Sequence, residues 1–172
     1  MSRWRLGIIV AVVGIFALPL LLASLSRLPH SWLQALYVGD VSAAEAGVVS
    51  YAVVDDTIPA PLDRLDGNAE RGRRLVLDRE TGNCLICHQV PIASEPSQGD
   101  LAPSLAGVGA RLTAAQIRFR LVDQSRLNPM TLMPPYHRVD GLTRVAAKFK
   151  SKPVFDAQQI EDVVAWLATL KD

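Results

Sequence analysis

Within the 172 residues, the run Cys84-Leu85-Ile86-Cys87-His88 limits what the chain can fold into more than any other feature. C-x-x-C-H is the attachment signature of a c-type haem. Two thiols add across the porphyrin vinyl groups, and the adjacent histidine supplies an axial ligand to iron. The spacing has a mechanical reason. Two intervening residues in a helical turn bring both sulfurs under one edge of the ring, and the next residue projects its imidazole towards the metal. The chain has 2 cysteines in all, so none is left for another use. A thioredoxin-like redox pair would need a βαβ context, and no strand-rich pattern surrounds this one. A structural zinc site takes about four ligands, and two Cys with one adjacent His fall short. A disulfide between residues three apart is strained. The reading is therefore one covalently attached haem c on Cys84 and Cys87, with His88 as an axial iron ligand.

The length fits one domain plus an addition, and that addition is at the N-terminus. Arg3 and Arg5 precede residues 6–25, an apolar run without a charge. Such a run is an export signal or a single membrane helix. Either delivers the remainder across the inner membrane to the periplasm, where c-type haem is attached. Small residues suited to signal peptidase occur at Val41-Ser42-Ala43 and Ala44-Glu45-Ala46. Residues 26–40 are a long spacer for a signal peptide. Cleavage near 43–46 is the expectation, with an anchor retained at residues 6–25 as the alternative. The formal net charge of +1 argues against nucleic acid as a general partner. Residues 1–46 thus read as signal peptide or membrane anchor with spacer, 47–66 as an extended arm, and 67–172 as the haem domain.

The arm begins with Val48, Val49, Tyr51, Val53 and Val54 and continues through Pro59 and Pro61 with acidic residues. It is expected to be extended, in position to lie on a partner. A helix is expected from Asn68, which can cap, with Glu70 at its positive end and Leu75 and Val76 for contacts. Gly72 in its middle costs about 1 kcal/mol against Ala, a cost a close helix crossing would justify. Residues 89–100, with Pro91, Pro96 and Gly99, read as a loop. Beyond it, Pro103 can offer a carbonyl to the His88 ring and fix its tautomer, or serve as an ordinary turn proline. Thr113 and Gln116 make a capping box. The helix they open carries Ile117, Leu121 and Val122 on one face, with Arg118 and Arg120 pointing elsewhere.

The second chemically loaded stretch is Thr131-Leu132-Met133-Pro134-Pro135-Tyr136. A haem that only transfers electrons needs a sixth ligand, and thioether is common because it raises the potential. Met133 is the first choice, because two prolines behind it stiffen the strap that would hold its sulfur. Met130 and His137 are the rivals, and His137 is otherwise expected at the surface or the haem edge. The last element is the clearest helix. Asp156 and Gln159 cap it; Ile160, Val163, Val164, Leu167 and Leu170 recur at helical spacing; Trp166 can pack against the helix bearing Gly72. Charge is unevenly spread: residues 111–152 hold nine Arg/Lys against two Asp. A positive face beside the Met loop would steer an acidic redox partner.

Together these features resemble a class I cytochrome c, an all-α fold with a single haem domain carrying an N-terminal extension. Gly82-Asn83-Cys84-Leu85-Ile86-Cys87-His88, the run Ala102-Pro103-Ser104-Leu105-Ala106-Gly107-Val108-Gly109-Ala110-Arg111-Leu112, Asn128-Pro129-Met130-Thr131-Leu132-Met133-Pro134-Pro135-Tyr136, Gly141-Leu142-Thr143-Arg144-Val145-Ala146 and Glu161-Asp162-Val163-Val164-Ala165-Trp166-Leu167 are similar to the SoxX family over roughly residues 47–172. SoxX proteins are monohaem c-type subunits of the SoxAX cytochromes of bacterial thiosulfate oxidation. The resemblance implies a heterodimer with a SoxA-like dihaem or monohaem subunit in the periplasm. That complex joins thiosulfate oxidatively to a cysteine of the SoxYZ carrier, as an L-cysteine S-thiosulfotransferase. The reactive haem is expected on the partner, and this chain passes the electrons to a soluble cytochrome c. By the same resemblance His88 is the proximal and Met133 the distal ligand. The long N-terminus departs from the family, whose members would carry a shorter signal peptide. Two other readings compete: a stand-alone monohaem shuttle, and a catalytic haem protein, which would need the open sixth position that the Met133 strap argues against.

Overall fold

The computed structural model describes residues 47–172, and the signal, anchor and cleavage expectations for residues 1–46 lie outside them. Four α-helices carry the described chain: α1 Ala69–Leu77, α2 Val108–Arg111, α3 Ala114–Asp123 and α4 Ala157–Thr169. Short 3-10 turns at Leu62–Arg64, Cys84–Ile86, Gln124–Arg126 and Ala147–Phe149 punctuate the connections. Among the described residues the only bridge is Val54 with Thr57, so the all-α expectation holds. No described helix is long and apolar enough to cross a membrane.

Each long helix starts where side chains satisfy its orphan amides. The Asn68 side chain accepts from the Arg71 N–H at the start of α1. Full capping boxes open α3 at Thr113 and Gln116 and α4 at Asp156 and Gln159. The contact that organises the domain is α1 across α4. A Cβ on Gly72 would lie 1.9 Å from the Asp162 carbonyl oxygen and 3.0 Å from Trp166 Cβ, so only glycine lets the backbones touch. The close crossing and the Trp166 contact anticipated from sequence are both present. Arg71 clamps the same crossing through a fork on Asp162, Nε to Oδ2 at 2.6 Å and Nη2 to Oδ1 at 2.8 Å. Around α4 the core collects Val76, Leu85, Phe119, Val122, Phe155, Ile160 and Val163, all essentially inaccessible.

Three sequence expectations are corrected. Arg118 points inward rather than away from the core: its guanidinium forks onto Glu161 at 2.7 and 2.8 Å and both groups are buried. A third Arg118 nitrogen donates to the Ile58 carbonyl, and Glu161 also accepts from the Leu62 N–H. Segment 47–66 accordingly lies on its own domain, with Ile58 and Leu62 1% exposed. Its apolar side chains cover the α3–α4 surface, and its backbone is tied down by a buried ion pair. His137 is neither at the surface nor at an edge; it is fully buried. Its Nδ1 lies 2.8 Å from the Phe155 carbonyl, and its Nε2 accepts the Val49 N–H at 3.2 Å. A ring whose nitrogens both have backbone partners is a structural histidine.

Candidate haem-attachment site

The C-x-x-C-H run forms one tight turn. Asn83 enters it in the left-handed region, φ 55°, and the turn Cys84–Ile86 follows. The His88 N–H closes on the Cys84 carbonyl at 2.9 Å. Both sulfurs and the imidazole thus belong to a single turn, as the spacing predicts. Cys84 is buried and Cys87 half-buried. Burial pushes the Cys84 thiol up to about 11, against a weaker opposing pull from the Tyr136 hydroxyl.

A second strand of backbone supports this turn from outside. The Gly99 N–H donates to the Leu85 carbonyl at 2.8 Å, Ala102 to Cys87 at 3.0 Å and Leu105 to Gln89 at 2.8 Å. A Cβ on Gly99 would lie 1.9 Å from the Ile86 carbonyl oxygen, so this register also depends on a glycine. The register sets Pro103 beside His88, with the Pro103 carbonyl 2.7 Å from Nδ1. The carbonyl can only accept, so Nδ1 carries a proton and, in the neutral ring, Nε2 keeps the lone pair. That is the tautomer a metal-ligating histidine requires, held by an outer partner.

The Met loop is fixed at both ends. Its Thr131 hydroxyl accepts from the Met133 N–H at 3.1 Å, and Met133 packs, half-buried, against the core. Met130 is 85% exposed. Past the two prolines, the Tyr136 N–H donates to the Leu121 carbonyl at 3.0 Å, and its own carbonyl accepts from Phe155 at 2.9 Å. Two thiols, an imidazole with a free Nε2 and a thioether are the donor set a haem c takes, and these residues fit that group.

The basic block divides in two. Arg118 pairs with Glu161, while Arg138 and Arg126 lie 2.6 and 3.6 Å from the buried Asp123. Arg111 and Arg120 donate to backbone carbonyls, Arg111 to Ser104 and Ala106, and Arg120 to Gln116. Arg144, Lys148, Lys150 and Lys152 stay at the surface, as does Arg111, whose charge a bond to a neutral carbonyl leaves in place. The sequence reading missed the two carboxylates of α4, Glu161 and Asp162. A carboxylate in the middle of an apolar helical stripe was the available signal.

The sequence matches the family model for cytochrome c over residues 69–171. Among solved structures, the chain is similar to one described as the crystal structure of SoxXA from P. pantotrophus. The two share 37% identity with a TM-score of 0.66, covering 71% of this chain and 95% of the other. A comparison with curated proteins finds no match.

Proposed function

The chain belongs to the cytochrome c family, with its likeness there to the SoxX type, and from that premise we propose that it is the electron-transfer subunit of a SoxAX-type L-cysteine S-thiosulfotransferase in the periplasm. Cys84 and Cys87 would hold one haem c covalently, and His88 and Met133 would be its axial ligands. A haem bound in this way supplies a one-electron couple. The observation that carries the assignment is the Pro103 carbonyl on His88 Nδ1, which leaves Nε2 for iron. Met133 is favoured over its rivals on two grounds: Met130 stands out in solvent, and both ring nitrogens of His137 are already engaged.

The protein's part is to keep both axial positions filled and to present the site to partners. Held by both His88 and Met133, the haem would supply electron transfer and would leave no position for substrate on this chain. Thiosulfate coupling to the SoxYZ cysteine is assigned to a SoxA-like haem subunit, from which this chain takes electrons for a soluble cytochrome c. Six large apolar side chains are exposed among the described residues: Ile86 and Leu101 beside the attachment turn, Met130 and Leu132 on the Met loop, and Val53 and Val54 on segment 47–66. Apolar side chains on the two functional loops would lie against the haem or under another subunit. The basic segment 144–152 suits steering of an acidic acceptor.

The test is a mild affinity purification of the tagged protein from cells grown on thiosulfate, with the gel stained for covalent haem. A second, larger haem band in fixed ratio is the expected result. A single small haem band would overturn the subunit assignment and leave a stand-alone shuttle.

A further inference from the structure

We propose that Tyr136 is a positioning residue whose hydroxyl locks the haem-attachment turn to the Met133 strap and so holds the two axial sides of the site in register. The inference rests on the ligand assignment just made and adds a residue to it.

Tyr136 is almost fully buried. Its hydroxyl donates to the Gly82 carbonyl at 2.8 Å and faces the Cys84 sulfur at 3.9 Å. The Gly82 carbonyl heads the stretch that turns through Asn83 into Cys84. The ring stacks on Phe155, with centroids 5.0 Å apart and planes at 24°. With its backbone bonds to Leu121 and Phe155, one residue joins α3, the approach to α4 and the attachment turn. Only Pro134 and Pro135, each with φ fixed by its ring, separate this junction from Met133. A displacement of Tyr136 is therefore carried to the Met133 end of the strap with little slack. Burial raises the phenol well above its ordinary value, so the hydroxyl keeps the proton it gives to Gly82.

The two sides of the site differ in how firmly they can be held. Cys84 and Cys87 would be bonded to the porphyrin and His88 follows them directly in the chain, whereas Met133 depends on the strap alone. Loss of the hydroxyl would leave the Gly82 carbonyl buried without a donor and would uncouple strap from turn. The weaker ligand, Met133, should register it.

The experiment compares wild-type, Tyr136→Phe, Met133→Ala and Val163→Ala holoproteins matured with haem. Each ferric protein is titrated with imidazole, which competes for the sixth position, while the charge-transfer absorption of thioether-ligated ferric haem is followed. Met133→Ala sets the open limit. Val163→Ala truncates a fully buried side chain of α4, an element other than the strap, and reports what simple destabilisation does. Tyr136→Phe is expected to keep both thioether linkages by haemochrome spectrum yet bind imidazole about tenfold more tightly than wild type. Val163→Ala should lose stability to denaturant with its imidazole affinity unchanged. Wild-type imidazole affinity in Tyr136→Phe, or a change no larger than that of Val163→Ala, overturns the role of Tyr136 alone. An unchanged spectrum in Met133→Ala overturns the ligand assignment and this inference with it.

Discussion

His137 donates from Nδ1 to the Phe155 carbonyl and accepts the Val49 N–H at Nε2, so the fold requires the neutral ring. Burial lowers its pKa below the ordinary 6.5, and the Phe155 carbonyl, Asp156 and Glu161 only partly oppose that. The unfolded chain then takes up a proton near 6.5 that the folded chain resists. Stability from this residue is complete above 6.5 and is lost as pH falls below it. Asp162 works in a different window. Its own burial would raise its carboxyl, but Arg71, the Asn68 N–H and Gln158 outweigh that and hold it below 3.8, so its contribution fades only in stronger acid. Denaturant midpoints of the haem protein should therefore stay level above pH 6.5 and drop as the pH falls through the interval below it. The replacement His137→Gln should be less stable at neutral pH and flatter across that interval. If it kept the wild-type slope, the dependence would belong to another group.

At the level of elements, α1 and α4 meet where local propensity and packing disagree. Propensity alone says that Ala at position 72 should improve α1 by about 1 kcal/mol. The crossing says the reverse, because the new Cβ would meet the Asp162 backbone carbonyl, which cannot swing away as a side chain could. Packing should win. Gly72→Ala is expected to lose about 3 kcal/mol in urea denaturation, and equal or higher stability would show that the helices can separate without cost. The Arg71–Asp162 fork spans the same crossing, with the guanidinium half exposed and the carboxylate buried.

For the whole molecule, the consequential finding is that segment 47–66 is anchored without a partner. Ile58 and Leu62 are buried, the Arg118–Glu161 pair holds their backbone, and the Arg126 guanidinium lies 5.8 Å from the Tyr51 ring centroid. Limited proteolysis of the uncomplexed haem protein should spare residues 58–66. Cleavage, where it occurs, should fall near Val53–Asp56, where Val53, Val54, Asp55 and Asp56 are all exposed. A variant whose domain starts at Gly67 should lose about 3–6 kcal/mol, the order expected for losing the burial of two large aliphatic side chains. Rapid cutting at 58–66 that stops only when a partner is added would instead make the segment a docking arm.

What the sequence determined by itself was everything written within a turn or two of chain. This includes the two thiols and imidazole of one turn and the caps at Asn68, Thr113 and Asp156. Each is set by local geometry, so spacing alone reveals it. Only the tertiary structure decided what the inward-facing polar groups do. Arg118 meets Glu161 across 43 residues, and His137 meets Val49 across 88. No local pattern encodes such pairs. Helix periodicity put Arg118 on the wrong side because a charged residue reads as solvent-facing until a partner is known. The arm read as lying on a partner for the same reason: its few apolar residues have no period, and the core they join exists only after the helices have packed.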